Sequence, residues 1–403
     1  VDIWQAHERM REIRQGSDAR ERLLKFWIVQ IAAQVLNFIR SHDSIILQHF
    51  LRFSNMFLSY LTPLTFPSKH VNRLQVMKMA SAFSKKLDFT LFVAEACMAP
   101  DKLFEAYNIR APFAYKEVGY TRMLPRRFWQ ARKFLSHIRM ANKETLWYTR
   151  DVLLCEWLLY FSKRFRNNYF FELHTLVRFS EGRYKNVLSN ARGIITTNEA
   201  KKKDIMEQFG IAGEKIFVSP NGVDLEEFQM LKDKKQEMRR ELGLDEHIPL
   251  VVYAGTDAPD YGTDVLREAA KLLRNNAKVL IISRRPRNEA LKYMAAADVL
   301  VAPYLGESEH FRKYMSPMKL REYMAMERPI VVSDLPSIRN YLVEEAAFYC
   351  KAGNARYLAE KITMALDDLE EGKRRARRAA LYAENFSWDN RAENIIQFMQ
   401  STL

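Results

Sequence analysis

Glycine and proline are sparse, at thirteen each in 403 residues, which excludes a collagen-like or proline-rich chain. Cysteine is scarcer still. Cys97, Cys155 and Cys350 are far apart, odd in number and without a C-x-x-C pair. Neither a disulfide framework nor a thiolate zinc site is expected, and all three read as buried thiols of a reducing compartment. The eight histidines have no metal-ligand spacing, and H-E-x-x-H, G-x-x-x-x-G-K-[ST], G-x-S-x-G and G-x-G-x-x-G are all missing. A metalloenzyme, a P-loop NTPase and a typical dehydrogenase are thereby disfavoured. Long apolar runs are lacking too. The most apolar early stretch, residues 23–39, is interrupted by Lys25, Gln30, Gln34 and Asn37, whereas a spanning helix wants ~20 mostly apolar residues. Gln30, Gln34 and Asn37 share one helical stripe, so a helix packed on protein is expected, with an interfacial helix as the alternative. Nothing near Val1 reads as a cleavable leader.

What is present is ordinary globular composition, 48% hydrophobic and 28% charged, with a formal net charge of +14. The excess is local: residues 51–200 hold 24 basic and 11 acidic side chains, whereas residues 201–403 hold 32 of each. Summed charge speaks to partners rather than fold. An anionic partner is expected at residues 51–200.

From residue 54 onward, short apolar runs alternate with helical periodicity. Seven runs lie at 56–61, 90–95, 113–118, 146–150, 169–173, 194–198 and 216–220. Five more lie at 251–255, 279–283, 299–304, 329–334 and 347–350. Continuous apolar runs mark strands buried on both faces, and strand–helix alternation argues for parallel sheets of βαβ units. Twelve strands are too many for one doubly wound sheet, and a charged stretch breaks the series between residues 223 and 247. The expected fold class is therefore α/β with two Rossmann-like domains facing a cleft. Residues 1–53 read as a helical extension, 54–220 as the first domain and 221–387 as the second, with a final helix at 388–403 returning to the first.

Three segments carry candidate chemistry. FFELHTL puts Glu172 and His174 at the carboxyl end of a strand, where ligands of open α/β sheets bind. VSPNGVDLEEF (218–228) is a strand running into a turn. In YMSPMKLREYMAMERPIVVSDLPSIRNYL (314–342), Ser316-Pro317 reads as a helix start followed by Met318. Free N–H groups there can hold a phosphate without a metal, with Lys319 and Glu322 on the same face for phosphate and sugar hydroxyls.

In this order and spacing, PNGVD, SPMKLREYMAMERPIVVSDLPSIR, the strand-end ELH and the late FSW resemble the family-4 glycosyltransferases of GT-B fold over residues 54–403. The resemblance implies a retaining, metal-independent transfer with a nucleotide-sugar donor as substrate and no other cofactor. It implies that the donor sits on the second domain and the acceptor on the first. By position, Glu322 matches the second glutamate of an E-x7-E pattern that holds the donor ribose, His174 an active-site histidine, and Gly255 the glycine ending the first strand of the donor domain. Ser68, Lys69 and His70 match a loop facing donor phosphate and acceptor. Arg150, Glu172 and Asn221 are further cleft candidates, and Ser316, Pro317 and Met318 join the donor set. Tyr314 stands where the first glutamate falls, and Thr256 and Tyr261 stand where relatives carry two diphosphate-clamping cations. Lys319, Arg284 or Arg285 can take their place. Relatives also have one more helix and strand after residue 283.

The expected partners are a nucleotide-sugar donor and a glycan or lipid-linked acceptor. An anionic membrane surface is a further expected partner at residues 121–139, where basic residues interleave with Phe128, Trp129, Phe134 and Leu135. Nucleic acid is not expected, because no reading module accompanies the charge. The chain is expected in the cytoplasm, peripheral at the inner membrane face. Alternatives from other classes are a GT-B nucleotide-sugar epimerase and a degenerate transferase serving as a non-catalytic binding or scaffold subunit.

Overall fold

The computed structural model describes residues 56–68, 70–176, 179–273 and 276–403. The helical extension read at residues 1–53 and the candidate Lys69 lie outside the described residues. The apolar runs become the strands of two wholly parallel sheets. The first takes β1 (Phe57–Leu61), β3 (Asp88–Val93), β5 (Ala114–Glu117), β6 (Leu146–Thr149), β7 (Tyr169–Leu173), β8 (Gly193–Thr196) and β9 (Ile216–Val218) in the order β5-β3-β1-β6-β7-β8-β9. The second takes β10 (Leu250–Ala254), β11 (Lys278–Ile282), β12 (Val299–Ala302), β13 (Ile330–Ser333) and β14 (Phe348–Cys350) in the order β11-β10-β12-β13-β14. A minor ladder joins β2 (Thr65–Phe66) to β4 (Glu95–Ala96).

Burial explains the runs. All four residues of β6, β8, β12 and β13 and all five of β7 and β10 are buried, because helices cover both faces. The strand β11 is the exception: it forms one edge of its sheet and is mostly half-exposed. It leads straight into the helix Arg287–Ala296 and then β12, without an intervening helix and strand. Among the described residues no helix is long and apolar enough to cross a membrane.

Strand order fixes where ligands can sit. The first sheet grows outward from β1 in one direction and from β6 in the other, so a crevice opens at their carboxyl ends. The second sheet reverses likewise between β10 and β12.

The two sheets are joined where PNGVD meets FSW. Val223 N–H donates to Phe386 O at 2.8 Å, and Trp388 N–H donates to Val223 O at 3.3 Å. Gly222 is required there, since a Cβ would lie 2.6 Å from the Trp388 ring and 3.0 Å from its Cα. The last helix (Trp388–Ser401) then crosses to the helix Val71–Ser84, with Lys85–Asp389 at 2.9 Å and Lys86–Glu393 at 2.6 Å.

One expectation needs correcting. Cys155 and Cys350 are buried, but Cys97 is exposed, because it follows the short ladder strand β4 rather than a core strand.

Candidate functional site

In the first sheet, β7 delivers Glu172 fully buried and His174 one residue past the strand end. Glu172 Oε1 is the hub. It accepts from Arg391 Nη2 at 2.6 Å and from Gln75 Nε2 at 3.0 Å, and lies 3.0 Å from His174 Nε2. Gln75 Oε1 in turn accepts from Arg150 Nη1. Burial pushes the Glu172 carboxyl up, but Arg391, His174 and Arg150 together hold it well below the usual range. His174 moves the other way: burial, reinforced by the Arg150 charge, pushes it down to about 3 against the pull of Glu172. The ring is therefore neutral near pH 7. Gln75 Nε2 also lies 3.0 Å from His174 Nε2. With the two Gln75 amide hydrogens directed to Glu172 and Asn221, we assign the ring hydrogen to Nε2, facing the ionised carboxylate, which leaves Nδ1 as an acceptor.

At the second sheet the chain turns sharply after β10 at Gly255 (φ 155°). A Cβ there would lie 2.4 Å from Lys319 Nζ, so only glycine admits the lysine. The helix Met318–Ala325 begins just after Pro317 and places Lys319 in its first turn. Its ammonium sits 3.7 Å from the ring centre of Tyr253, 5.3 Å from that of Tyr261 and 5.4 Å from that of Tyr304. Nζ is buried and has no hydrogen-bond partner among the described residues. Burial pushes it well below the usual lysine range, opposed only by Glu322. Tyr261, which stands where a cation was expected, thus forms part of the cage around a cation supplied from the facing helix.

Glu322 does not stand free. Its Oε1 accepts from Arg287 Nη1 at 2.6 Å, and Arg287 Nη2 binds Glu227 Oε2 at 2.7 Å. Of the expected substitutes, Arg284 and Arg285 are both exposed, Arg284 lying near Asp257 and Arg285 pairing with Glu289 at 3.1 Å. Thr256 is also exposed, and only its backbone oxygen is engaged, by Tyr253 OH at 2.6 Å. Tyr314 is buried and bonds Asp204 Oδ2 of the first domain, which Lys313 also grips at 2.8 Å. The residue that stands where the first glutamate falls is thus a polar tie between the two sheets' domains.

One side chain joins the two clusters. Asn221 accepts from Gln75 Nε2 at 3.0 Å and donates through Nδ2 to Ser316 O at 2.8 Å. His174, Glu172 and Arg150 are thereby brought next to the start of the Lys319 helix. Ser316 Oγ is buried and unpartnered there, while Pro317 and Met318 form the turn. Ser68 and His70 are not brought in: Ser68 N–H donates to Tyr107 OH at 2.7 Å, and His70 is exposed. Gln75, Arg391 and Arg287 lie outside the three quoted segments, and Glu227 lies within VSPNGVDLEEF without being singled out there. Gln75 shares its helix with Asn72, Arg73, Lys78 and Ser81, so its polarity alone does not mark it.

In the basic stretch, Phe134, Leu135 and Ile138 are buried in the core, so they cannot face a lipid surface. Met123 and Leu124 are 57% and 79% exposed beside Arg122 and Arg126, with Phe128 and Trp129 half-buried. No group of three or more His, Cys, Asp or Glu suited to a metal ion occurs among the described residues.

Comparison with known proteins fits this geometry. The family model Glycosyl transferases group 1 matches residues 236–368. TuaC of Bacillus subtilis (strain 168), a glycosyltransferase assigned to teichuronic acid biosynthesis, is 23% identical over 45% of this chain and 48% of its own. A D-inositol 3-phosphate glycosyltransferase of Nocardia farcinica is 24% identical over 54% of each. The chain spans about half the length of the relatives it matches. Among solved structures, Anabaena HepE in complex with UDP and glucose superposes with a TM-score of 0.67 at 15% identity, covering 86% of this chain and 100% of that one. A Rickettsia africae glycosyltransferase gives the same score over 86% and 99%.

Proposed function

Starting from a GT-B chain of the group 1 glycosyl transferases, we propose that this protein moves a sugar from a nucleotide-sugar donor to an acceptor hydroxyl. The proposed transfer retains configuration and needs neither a metal nor a resident cofactor. The observation that carries this reading is Lys319, a buried amine ringed by tyrosine faces and without a hydrogen-bond partner among the described residues, at a helix N-terminus. It lies where a backbone turn at Gly255 leaves room for close approach. A buried cation without a partner is costly unless a ligand supplies the counter-charge.

Breaking the bond from sugar to diphosphate builds negative charge on the leaving group. Lys319 and the free N–H groups of its helix are fixed beside that position and need not reorganise as the charge forms. Glu322, held by Arg287, has its second oxygen for ribose hydroxyls. The acceptor lies on the His174 side, where the neutral ring offers Nδ1 as a hydrogen-bond acceptor to a sugar hydroxyl. The leaving phosphate oxygen takes the acceptor proton.

Calorimetry with UDP, GDP and their sugars tests the reading. The expected result is binding of one nucleotide series, its loss in Glu322→Ala, and donor consumption only when an acceptor is present. Donor conversion without acceptor would point to the epimerase, and absence of heat from every nucleotide to the scaffold. The HepE complexes with UDP and glucose favour UDP as the first nucleotide to try.

The acceptor is proposed to be a glycan or lipid-linked glycan met at the inner face of a membrane. Arg122, Met123, Leu124 and Arg126 supply an exposed apolar pair flanked by cations. Co-sedimentation with vesicles containing anionic lipid is expected to fall in a Met123→Ser, Leu124→Ser double variant. Equal pelleting with neutral vesicles would reject the contact.

A further inference from the structure

The crevice of the first sheet holds a cavity of about 340 Å³ that the donor chemistry leaves unused. Its lining lies wholly within residues 62–184, and it opens where β1, β6 and β7 end. The volume is at the small end for ligand sites, which suits a monosaccharide-sized group rather than an oligosaccharide.

Its charge is lopsided. Arg73, Arg127 and Arg150 all line it. Arg127 Nε has the Asp151 carboxylate at 3.1 Å. Among the described residues Arg73 bonds only the Asn72 side-chain oxygen, at 3.0 Å, and its buried Nε has no partner. Arg150 bonds the neutral Gln75. The remaining carboxylate, Glu172, is matched by Arg391. Among the described residues the four guanidinium groups of Arg73, Arg127, Arg150 and Arg391 thus face two carboxylates, Asp151 and Glu172. Burial pulls Arg73 below the usual arginine range, Tyr107 opposes, and the neighbouring Arg150 and Arg127 charges pull the same way. Mutual repulsion inside a partly buried crevice is what a bound dianion relieves.

We propose that this cavity binds the phosphomonoester of a phosphorylated, monosaccharide-sized acceptor, gripped by Arg73, Arg127 and Arg150 beside His174. A phosphomonoester carries close to two negative charges at neutral pH and accepts forked hydrogen bonds from guanidinium groups. A carboxylate supplies one charge and a neutral sugar none. The inference rests on the transferase reading only in calling the bound molecule the acceptor.

The test is calorimetry on the full chain with glucose 6-phosphate, glucose 1-phosphate, glycerol 3-phosphate, glucuronate, glucose and UDP. At least one of the three phosphates is expected to bind, and at least about tenfold more tightly than glucuronate or glucose. Arg73→Gln should weaken that phosphate by about tenfold, the loss of one charge-assisted bond, with Arg73→Lys intermediate. UDP affinity should be unchanged, and the thermal midpoint of Arg73→Gln should be equal or higher, because a repelling charge is removed. Failure of all three phosphates at millimolar concentration overturns the proposal. So does glucuronate binding as tightly as the phosphates, or phosphate affinity untouched by Arg73→Gln. UDP, GDP and their sugars all failing to bind would sink the transferase reading and leave this site standing.

Discussion

The hub around Glu172 and the cage around Lys319 solve the problem of buried charge in opposite ways. Glu172 has a buried arginine, an amide and a histidine within hydrogen-bond reach, all supplied by the protein itself. Lys319 has only ring faces and a carboxylate one turn along its helix. In the first arrangement the charges are matched within the protein, although Glu172 Oε2 and Arg391 Nη1 have no hydrogen-bond partner among the described residues. The second is complete only with an anion. The contrast is the one the proposed function requires between a charge matched inside the protein and a charge that meets the donor.

The largest effect should come from breaking the hub. Glu172→Ala leaves Arg391 buried and uncompensated, so urea denaturation should show a loss of about 3–5 kcal/mol. A loss under about 1 kcal/mol would mean that water reaches Arg391. The cage should behave differently. Lys319→Met is expected to weaken UDP by roughly 10- to 100-fold, as for loss of a charged hydrogen bond, with the thermal midpoint unchanged or raised. A lowered midpoint with intact UDP binding would make Lys319 a structural residue and erase the contrast.

Proton linkage sharpens the same comparison. Burial holds Lys319 well below its ordinary value of 10.5 in the empty site, and a diphosphate brings it back up. Between the depressed value and 10.5, UDP binding should therefore take up a proton, and affinity should fall as pH rises. Calorimetry in buffers of different ionisation enthalpy reads the uptake directly. Lys319→Met should abolish it, whereas proton release in the wild type would reverse the assignment. The smallest effect is expected at the tie between domains. Tyr314→Phe removes the bond to Asp204 and should cost about 1 kcal/mol in thermal unfolding, with Lys313 still holding Asp204.

Much of the fold can be read along the chain because strands buried on both faces need unbroken apolar runs, which survive in one dimension. The five residues 169–173 are legible as a strand for that reason, and so is the helix start at Pro317. The site is legible only in part. Glu172 and His174 are marked by a strand end, but Arg391 reaches Glu172 from 219 positions away, and nothing local distinguishes it from other helical arginines. Arg287 is likewise hidden beside Arg284 and Arg285, since only tertiary geometry decides which of three nearby guanidiniums points at Glu322. Cys97 misled because cysteine composition suggests burial, while its place after a two-residue ladder strand exposes it.

The sequence by itself determined the two parallel sheets, their break near residue 223 and the helix that carries Lys319 and Glu322. Each follows from local periodicity, turn chemistry and continuous apolar burial. Only the tertiary structure decided which charges are matched and which are left waiting. Pairing depends on three-dimensional distances among side chains from remote segments: Gln75 with Asn221, Glu172 with Arg391, and Lys319 beneath Gly255 among three tyrosines. Linear order holds no record of those distances until the sheets have formed.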